Sequence, residues 1–236
     1  MTDPLTLSAC CLPDNRDVVP VIRCAGRWLS QITSQTAMSE TVAGFIRRRF
    51  LQAYGAEPAL RLPALLALTT AQGSLLAAVG VRNAGRERLF LEDYLSVPVE
   101  AVMPVSGIER YKIAEIAHLA GVEAGVSRYL FASLSVWLAS AGYEWVVCTG
   151  TDHLSNSFKR LGIATQVLGD ADPARLPDEG AGWGRYYDHH PEVMAIKVSQ
   201  GLAALHQAGL LRWIQPVAQA VDASGAVQEG AYGRLA

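Results

Sequence analysis

The stretch IAEIAHLAGVEAGVSRYLFASLSVWLASAGYEWVVCTGTDHLSNSFKRLGI, residues 113–163, decides the fold of this chain. Its first apolar run predicts a strand over residues 111–119, helical spacing then predicts a buried helix, and residues 143–149 predict a central strand. A second helix follows over residues 154–161, with Asp152 as its predicted cap. Because a long helix joins the two strands, we expect them to lie parallel in the sheet of an α/β fold.

The turn between the first strand and the helix carries two glycines and a cation. Gly121, Gly125 and Arg128 lie where the backbone N–H groups at a helix start point outward. Such N–H groups bind anions, and phosphate most naturally. The turn therefore predicts a site for the phosphate of a cofactor.

The rest of the chain adds strands and helices around this unit. We predict strands at residues 18–23, 64–68 and 75–81, with the last strand of the chain at 193–198. We also predict helices at 39–54 and 202–206 and a long loop at 170–184. The length of 236 residues suits one main domain. We place that domain at residues 36–215, between an N-terminal extension, 1–35, and a polar C-terminal tail, 216–236.

Composition excludes some classes of function. The net charge is -2 and charged residues make up 18% of the chain, so nothing indicates a nucleic-acid partner. The first residues lack a basic segment, and the four cysteines form no CxxC pair. We therefore expect a cytoplasmic protein with reduced thiols.

One apolar segment raises the question of a membrane span. Residues 62–81 carry no charge and are long enough to cross a bilayer. However, Thr69, Thr70, Gln72 and Gly73 interrupt the segment in its middle. We therefore predict a buried hairpin and no transmembrane span.

Several blocks in the chain resemble known families. The segment NSFKRLGI, residues 156–163, is similar to the asparagine and leucine-glycine segment of GNAT-type N-acyltransferases. The blocks RLFLEDYL from Arg88, WLASAGYEWVV from Trp137 and WGRYYDHHPEVM from Trp183, together with EIAHLA and FKRLGI, resemble the thermostable hemolysin family in the same order. This resemblance covers residues 40–200.

The resemblance implies a GNAT-like acyltransferase fold, with a central mixed sheet flanked by helices and related to acyl-homoserine-lactone synthases. It implies an N-acyltransferase that moves an acyl group from a thioester to a small amine or amino acid. Asn156 would then border the pantetheine arm of the donor. The glycine turn departs from the strict GNAT signature, so both acyl-CoA and the phosphopantetheine of an acyl carrier protein stay open as donors. A membrane-active hemolysin and a non-catalytic acyl-thioester-binding module are the alternatives.

Glu115 is the candidate general base, because a carboxylate just before the glycine turn would lie beside the thioester carbonyl. Its alternative role is an ion pair with an arginine. Tyr186 and Tyr187 are candidate acids that return a proton to the departing thiolate, unless they only pack.

Five further residues are assigned to substrate binding. The cations could orient a substrate carboxylate: these are Arg47, Arg49 and Arg82. Glu92 lies in a short apolar element, and His118 follows Glu115 by three residues, on the opposite face of an ideal strand unless a bulge intervenes. Adjacent His189 and His190 point apart on an extended chain, so we expect no metal site.

Overall fold

The computed structural model describes residues 16–60, 64–122 and 125–217. The strands in these ranges are β1 Val18–Cys24, β2 Arg27–Ile32, β3 Ala64–Thr70, β4 Leu75–Asn83, β5 Ile113–Gly121, β6 Trp145–Gly150, β7 Gln166–Asp170, β8 Glu192–Lys197 and β9 Ile214–Pro216. The α-helices are α1 Ala37–Tyr54, α2 Val99–Val102, α3 Val126–Ser140, α4 Asp152–Arg160 and α5 Val198–Gln207.

All the strands form one open mixed sheet, in the order β7-β8-β6-β5-β4-β3-β2-β1-β9. The pair β5 and β6 is parallel, as predicted from the helix that joins them. The other strand pairs within the described ranges are antiparallel. The prediction of a central mixed sheet flanked by helices is therefore confirmed.

Each face of the sheet carries its own core. On one face α1 packs through Val42, Phe45, Ile46 and Phe50. On the other face α3 and α5 pack against the alternate residues of the same strands. Alternation along a strand sends successive side chains to opposite faces, so the central strands are buried on both sides.

Local sequence explains where α1 begins and ends. The side chain of Thr36 accepts a hydrogen bond from the N–H of Ser39, whose hydroxyl accepts in return from the N–H of Thr36. This reciprocal cap satisfies two N–H groups that a helix start leaves unpaired. Gly55 ends the helix with a φ of 65°, a conformation that glycine adopts without strain. The cap and the glycine together fix the position of Phe50 and Tyr54 on the last turns.

The predicted hairpin is confirmed. The segment forms β3 and β4, which pair with each other and lie between β2 and β5 inside the sheet. Its apolar residues fill both cores, which accounts for the absence of charge. No helix in the described ranges is both long and apolar enough to cross a membrane.

Three predictions on the organisation need correction. The boundary at residue 36 cuts through the sheet, because β1 and β2 belong to it; only residues 1–15 of the predicted extension lie outside the described ranges. The strand at 193–198 is β8, and β9 follows it at the sheet edge beside β1. The cap of α4 is Thr151 rather than Asp152, since the carbonyl of Thr151 already accepts the first helical hydrogen bond.

Candidate active site between two splayed strands

The parallel strands β5 and β6 separate halfway along their length. Their pairing runs from Ile113 with Trp145 to Ile116 with Cys148 and then stops. Beyond that point β5 continues to pair with β4, and β6 continues to pair with β8. The backbone edges that face each other across the gap are therefore open to a ligand.

A cavity of about 220 Å³ fills this gap, and we call it the interstrand cavity. Residues 116–119 of β5 and residues 149–151 at the end of β6 line its middle. Phe50 and Tyr54 close it on the α1 face, and Leu154 and Ser157 of α4 close it on the other. The cavity thus reaches from one face of the sheet to the other.

Glu115 lies at the inner end of this cavity and is only 1% exposed. Its Oε1 accepts the backbone N–H of Leu91 at 2.8 Å, and its Oε2 accepts that of Phe90 at 2.9 Å. Nη1 of Arg82, the cross-strand neighbour of Glu115 on β4, lies 4.0 Å from Oε2. Each carboxylate oxygen has a second lone pair, so Glu115 still has the capacity to accept a proton.

Burial dominates the ionisation of Glu115. Loss of hydration raises the pKa of this carboxyl to about 7, although the two N–H groups and Arg82 act to lower it. The ion pair with Arg82, which is the alternative role for Glu115, is therefore present, but it does not keep the Glu115 carboxyl fully ionised at neutral pH. A carboxyl with a pKa near neutral pH is suited to take up a proton.

His118 lies on the same face as Glu115, because a bulge intervenes. Ala120 faces Ala78 and Ala117 faces Gly80 on β4, so His118 and Leu119 together oppose one residue. The backbone of His118 takes a φ of 54°, a left-handed conformation that costs a non-glycine residue about 1–2 kcal/mol. The sequence left open whether a bulge intervenes; the bulge is present, and His118 contacts Phe90 on the face of Glu115.

The imidazole of His118 is buried and forms part of the lining of the interstrand cavity. Its Nε2 has no hydrogen-bond partner among the described residues. Burial, with Arg82 nearby, lowers the pKa of His118 to about 4, so the ring is neutral at neutral pH. A second buried atom in the cavity, Oγ1 of Thr149, likewise lacks a partner in the part of the chain that the structure describes. These two polar atoms are therefore buried without the hydrogen bonds that usually compensate for the loss of hydration.

Tyr186 lines the interstrand cavity, and Tyr187 lies just behind it. Burial raises the pKa of the Tyr186 phenol, so it keeps its proton at neutral pH. The hydroxyl of Tyr187 is instead 2.7 Å from that of Tyr94, with which it shares a hydrogen bond. The two predicted acids are therefore distinct: Tyr186 faces the cavity, and Tyr187 supports Tyr94.

Glu92 has a structural position outside the interstrand cavity. Its carboxylate accepts the N–H groups of Leu89 and Val99 and forms an ion pair with Arg110 at 2.8 Å. Burial acts to raise the pKa of Glu92, but these hydrogen bonds outweigh it and hold the pKa below its usual value. Glu92 thus fixes the segment that presents Phe90 and Leu91 to Glu115.

The three predicted arginines are held at different places. Arg82 is buried between Glu115 and Glu87, whose Oε2 lies 3.6 Å from its Nε. Arg49 reaches from α1 to the carbonyl of Val122, at the start of the glycine turn. Arg47 is exposed on α1, 3.8 Å from Glu40. None of these arginines lines the interstrand cavity.

The glycine turn opens α3, as predicted, but residues 123–124 lie outside the described ranges. Gly125 is the N-cap of α3 with a φ of 96°, and Gly121 ends β5. Nε of Arg128 donates to the carbonyl of Gly125 at 3.1 Å, which holds the guanidinium at the helix start. Asn156 is exposed on α4 and lies apart from the cavity, whereas His153, Leu154 and Ser157 of the same helix line it.

Sequence reasoning missed Thr149 and His153. Thr149 lies at the carboxyl end of β6, a parallel strand next to a crossover helix, and His153 follows it in α4. Ligands bind at the carboxyl ends of parallel strands, so the run TGTDH after an apolar strand was a usable signal.

A smaller apolar chamber of about 60 Å³ adjoins the interstrand cavity on the α3 and α5 face. It shares part of its wall with the cavity, namely Ile116, His118, Leu119, Phe131, Thr149 and Leu154. Leu134 and Leu138 of α3 and Gly201 of α5 close its far end. Within the described ranges there is no cluster of three or more potential metal ligands.

Solved structures with the same fold include acyl-homoserine lactone synthases and an N-acyl amino acid synthase. The CoA-dependent acyl-homoserine lactone synthase BjaI, solved with SAM and isopentyl-CoA, has a TM-score of 0.55 and 14% identity, covering 92% of this chain and 98% of that one. The AHL synthase LasI has a TM-score of 0.54 and 10% sequence identity, covering 80% of this chain and 96% of LasI. The N-acyl amino acid synthase FeeM, from uncultured soil microbes, has a TM-score of 0.51 and 13% sequence identity, covering 78% of this chain and 96% of FeeM. At these identities the likeness shows the fold, which is GNAT-like as predicted.

Sequence comparison gives the family. The model of the thermostable hemolysin family matches residues 32–202, which is most of the chain. A search of the curated proteins finds no significant match to the sequence.

Proposed function

This chain belongs to the thermostable hemolysin family, and from that premise and the cavity between β5 and β6 we propose that it is an N-acyltransferase. It moves an acyl group from a thioester to a small amine or amino acid. The observation that carries the proposal is the position of Glu115, a buried carboxyl with a pKa near 7, at the inner end of an open gap between parallel strands. The gap offers backbone edges for an extended thioester arm.

Glu115 and Tyr186 supply the proton transfers. The Glu115 carboxylate takes one proton from the acceptor ammonium, which frees the nitrogen lone pair to attack the thioester carbonyl carbon. As the C–N bond forms and the C–S bond breaks, the second proton leaves the nitrogen. Tyr186 passes a proton to the departing thiolate and recovers one from the nitrogen. The products are an amide and a free thiol, and Glu115 returns its proton to water.

The donor is an acyl-CoA or the phosphopantetheine of an acyl carrier protein. The start of α3, with Gly125 as its cap and Arg128 beside it, is suited to the donor's phosphate. Arg49 stabilises the same turn through Val122. BjaI, which has the same fold, was solved with isopentyl-CoA, and this supports a thioester donor here. Such donors belong to the cytoplasm, where we place the reaction.

The acyl tail of the donor extends into the apolar chamber. The chamber begins beside Ile116 and Leu119, where the thioester carbonyl would lie, and is closed by α3 and α5. Burial of each methylene group contributes about 0.8 kcal/mol, so the chamber favours a donor with an apolar acyl chain over a donor whose acyl chain is shorter or polar.

Thiol release tests the proposal. The purified protein is mixed with acyl-CoA thioesters of graded chain length and with a panel of amines and amino acids, and both free thiol and amide are measured. We expect thiol and amide in equal amounts, and only when an acceptor is present. Tight thioester binding without amide formation would identify a non-catalytic binding module instead, and lysis of liposomes without either would favour the membrane-active alternative.

A further inference from the structure

The α1 face of the interstrand cavity is built almost entirely from aromatic rings. We call this surface the aromatic wall; it comprises Phe50, Tyr54, Phe90, Tyr94, Trp183 and Tyr186. Neighbouring rings pack at centroid distances such as 5.2 Å for Trp183 with Tyr186 and 5.9 Å for Phe90 with Trp183. The wall is therefore a continuous, rigid surface rather than a set of separate side chains.

Apart from the tyrosine phenols of the aromatic wall, the titratable groups of this cavity are one carboxyl and two imidazoles. Glu115, His118 and His153 contribute to its lining, and no lysine or arginine among the described residues does. Arg82, the arginine nearest to Glu115, is 5% exposed and already faces both Glu115 and Glu87. The cavity therefore presents a carboxyl group and aromatic faces, and no lysine or arginine among the described residues that would pair with a substrate carboxylate.

We propose that the acceptor is an amine without a carboxylate, which binds as an ammonium ion between the aromatic wall and Glu115. This inference rests on the proposed acyl transfer and narrows its acceptor class. Aromatic faces attract cations, and the attraction is stronger where water is excluded. The ring of His118 is neutral at neutral pH and adds no positive charge that would oppose the ammonium group.

An α-amino acid would fit this cavity poorly. Its carboxylate would lose hydration without gaining a cationic partner, and it would lie close to the ionised form of Glu115. Like charges brought together at a binding site cost several kcal/mol. We therefore expect discrimination of about 100-fold or more against an amino acid relative to the amine of the same side chain.

Matched pairs of acceptors test this directly. Tyramine is compared with tyrosine, and phenethylamine with phenylalanine, because each pair differs only in the carboxylate. Rates of thiol release give kcat/KM, and calorimetry gives Kd without any acyl donor. We expect each amine to have a kcat/KM about 100-fold higher, and a Kd about 100-fold lower, than its amino acid.

A gain-of-charge variant makes the test independent of absolute rates. Tyr54 lies in the wall at the end of α1, and Tyr54→Arg would supply the cation that the cavity lacks. This variant should bind tyrosine at least 10-fold more tightly relative to tyramine than wild type does. Leu51→Arg, at an exposed position of the same helix, is the control and should leave the ratio unchanged. If Tyr54→Arg does not fold in a thermal melt, the wild-type pairs decide alone.

The outcomes separate this inference from the proposed function. Amino acids used as well as amines, with normal thiol release, would overturn the acceptor class and leave acyl transfer intact. No thiol release with any acceptor would overturn acyl transfer, and calorimetry would then decide the ligand class by itself. Binding of tyramine without tyrosine would support the ammonium site, and equal or absent binding of both would refute it.

Discussion

Replacement of Glu115 by glutamine separates its proposed catalytic role from its structural one. Glutamine keeps the shape of the side chain but does not accept a proton at neutral pH. If Glu115 is the base, Glu115→Gln slows acyl transfer by about 10²–10⁴-fold while thioester binding survives. In wild type kcat/KM should rise with pH and level off above about 7, since the carboxyl must be ionised to act.

The same substitution has a stability signature that follows from the raised pKa. Below pH 4.5 the carboxyl of Glu115 is neutral in the folded and unfolded protein, so its burial carries no charge penalty. As the pH rises to about 7, the unfolded state releases the proton first, and the folded protein loses stability. With about 1.4 kcal/mol for each pKa unit, the loss from pKa 4.5 to about 7 is on the order of 3 kcal/mol.

Glutamine removes this pH dependence and adds a constant cost. Its NH₂ group faces one of the two backbone N–H donors, from Phe90 or Leu91, and leaves that donor without an acceptor. An unsatisfied buried N–H costs about 1–3 kcal/mol at any pH. Between pH 5 and pH 8 wild type should therefore lose roughly 2–3 kcal/mol of unfolding free energy that Glu115→Gln does not lose. The stability of the variant relative to wild type should rise by that amount over this pH range.

Glu92→Gln is the matched control. Glu92 also binds two backbone N–H groups and an arginine, but it lies outside the interstrand cavity and its pKa is lowered. Its stabilising contribution is present above the ordinary carboxyl pKa of 4.5 and is lost as the pH falls through its folded value. Glu92→Gln should therefore lower stability by a constant amount between pH 5 and pH 8, and it should lower the rate per folded molecule far less than Glu115→Gln does.

Urea denaturation at pH 5, 6, 7 and 8 and single-turnover rates on the same preparations provide the measurements. Two results would refute the reasoning. Full activity per folded Glu115→Gln molecule would remove Glu115 from catalysis. A stability difference from wild type that does not change with pH would show that the burial of Glu115 does not raise its pKa.

Three further predictions concern the donor and the proton donor. Gly125→Asp should weaken CoA binding by a few kcal/mol more than Gly125→Asn, which shares the strained positive φ but adds no charge; calorimetry measures this, and equal affinities would exclude the turn from the site. Gly201→Leu should fill the apolar chamber and shift the preferred acyl-CoA to shorter chains. The Cβ of Gly201→Ala meets Ile196 at an ordinary 3.7 Å, so this variant should keep the chain-length preference and stabilise α5 by up to about 1 kcal/mol. If both variants show the same dependence of thiol release on acyl-chain length, the acyl tail does not lie in the chamber. Tyr186→Phe should lower kcat by about 10²-fold without changing acceptor Kd, while Tyr187→Phe should retain the rate; comparable rates for both would exclude Tyr186 as the acid.

Patterns of local sequence were sufficient for the elements around the site. The run from 113 to 163 predicted β5, α3, β6 and α4 in order, and the parallel pairing followed from the length of the helix between the strands. The interrupted apolar segment predicted β3 and β4 correctly. The sequence did not predict β7 and β9, which lie at the two edges of the sheet, or β2, whose apolar pattern is interrupted by Arg27, Ser30 and Gln31. Such strands gain their stability from pairing partners rather than from their own composition.

The sequence by itself determined the fold class and the place of Glu115 beside the glycine turn, because strand alternation, helix spacing and turn residues act over a few neighbouring positions. Only the tertiary structure decided what surrounds that carboxyl. A bulge set by pairing with β4 turned His118 to the same face, and burial raised the pKa of Glu115. Arg82 lies within ion-pair distance of both Glu87 and Glu115. Aromatic residues from α1 and from two loops that are distant in sequence form one wall of the cavity. These features depend on contacts between residues far apart in the chain, and a side chain loses its hydration only when the chain folds around it.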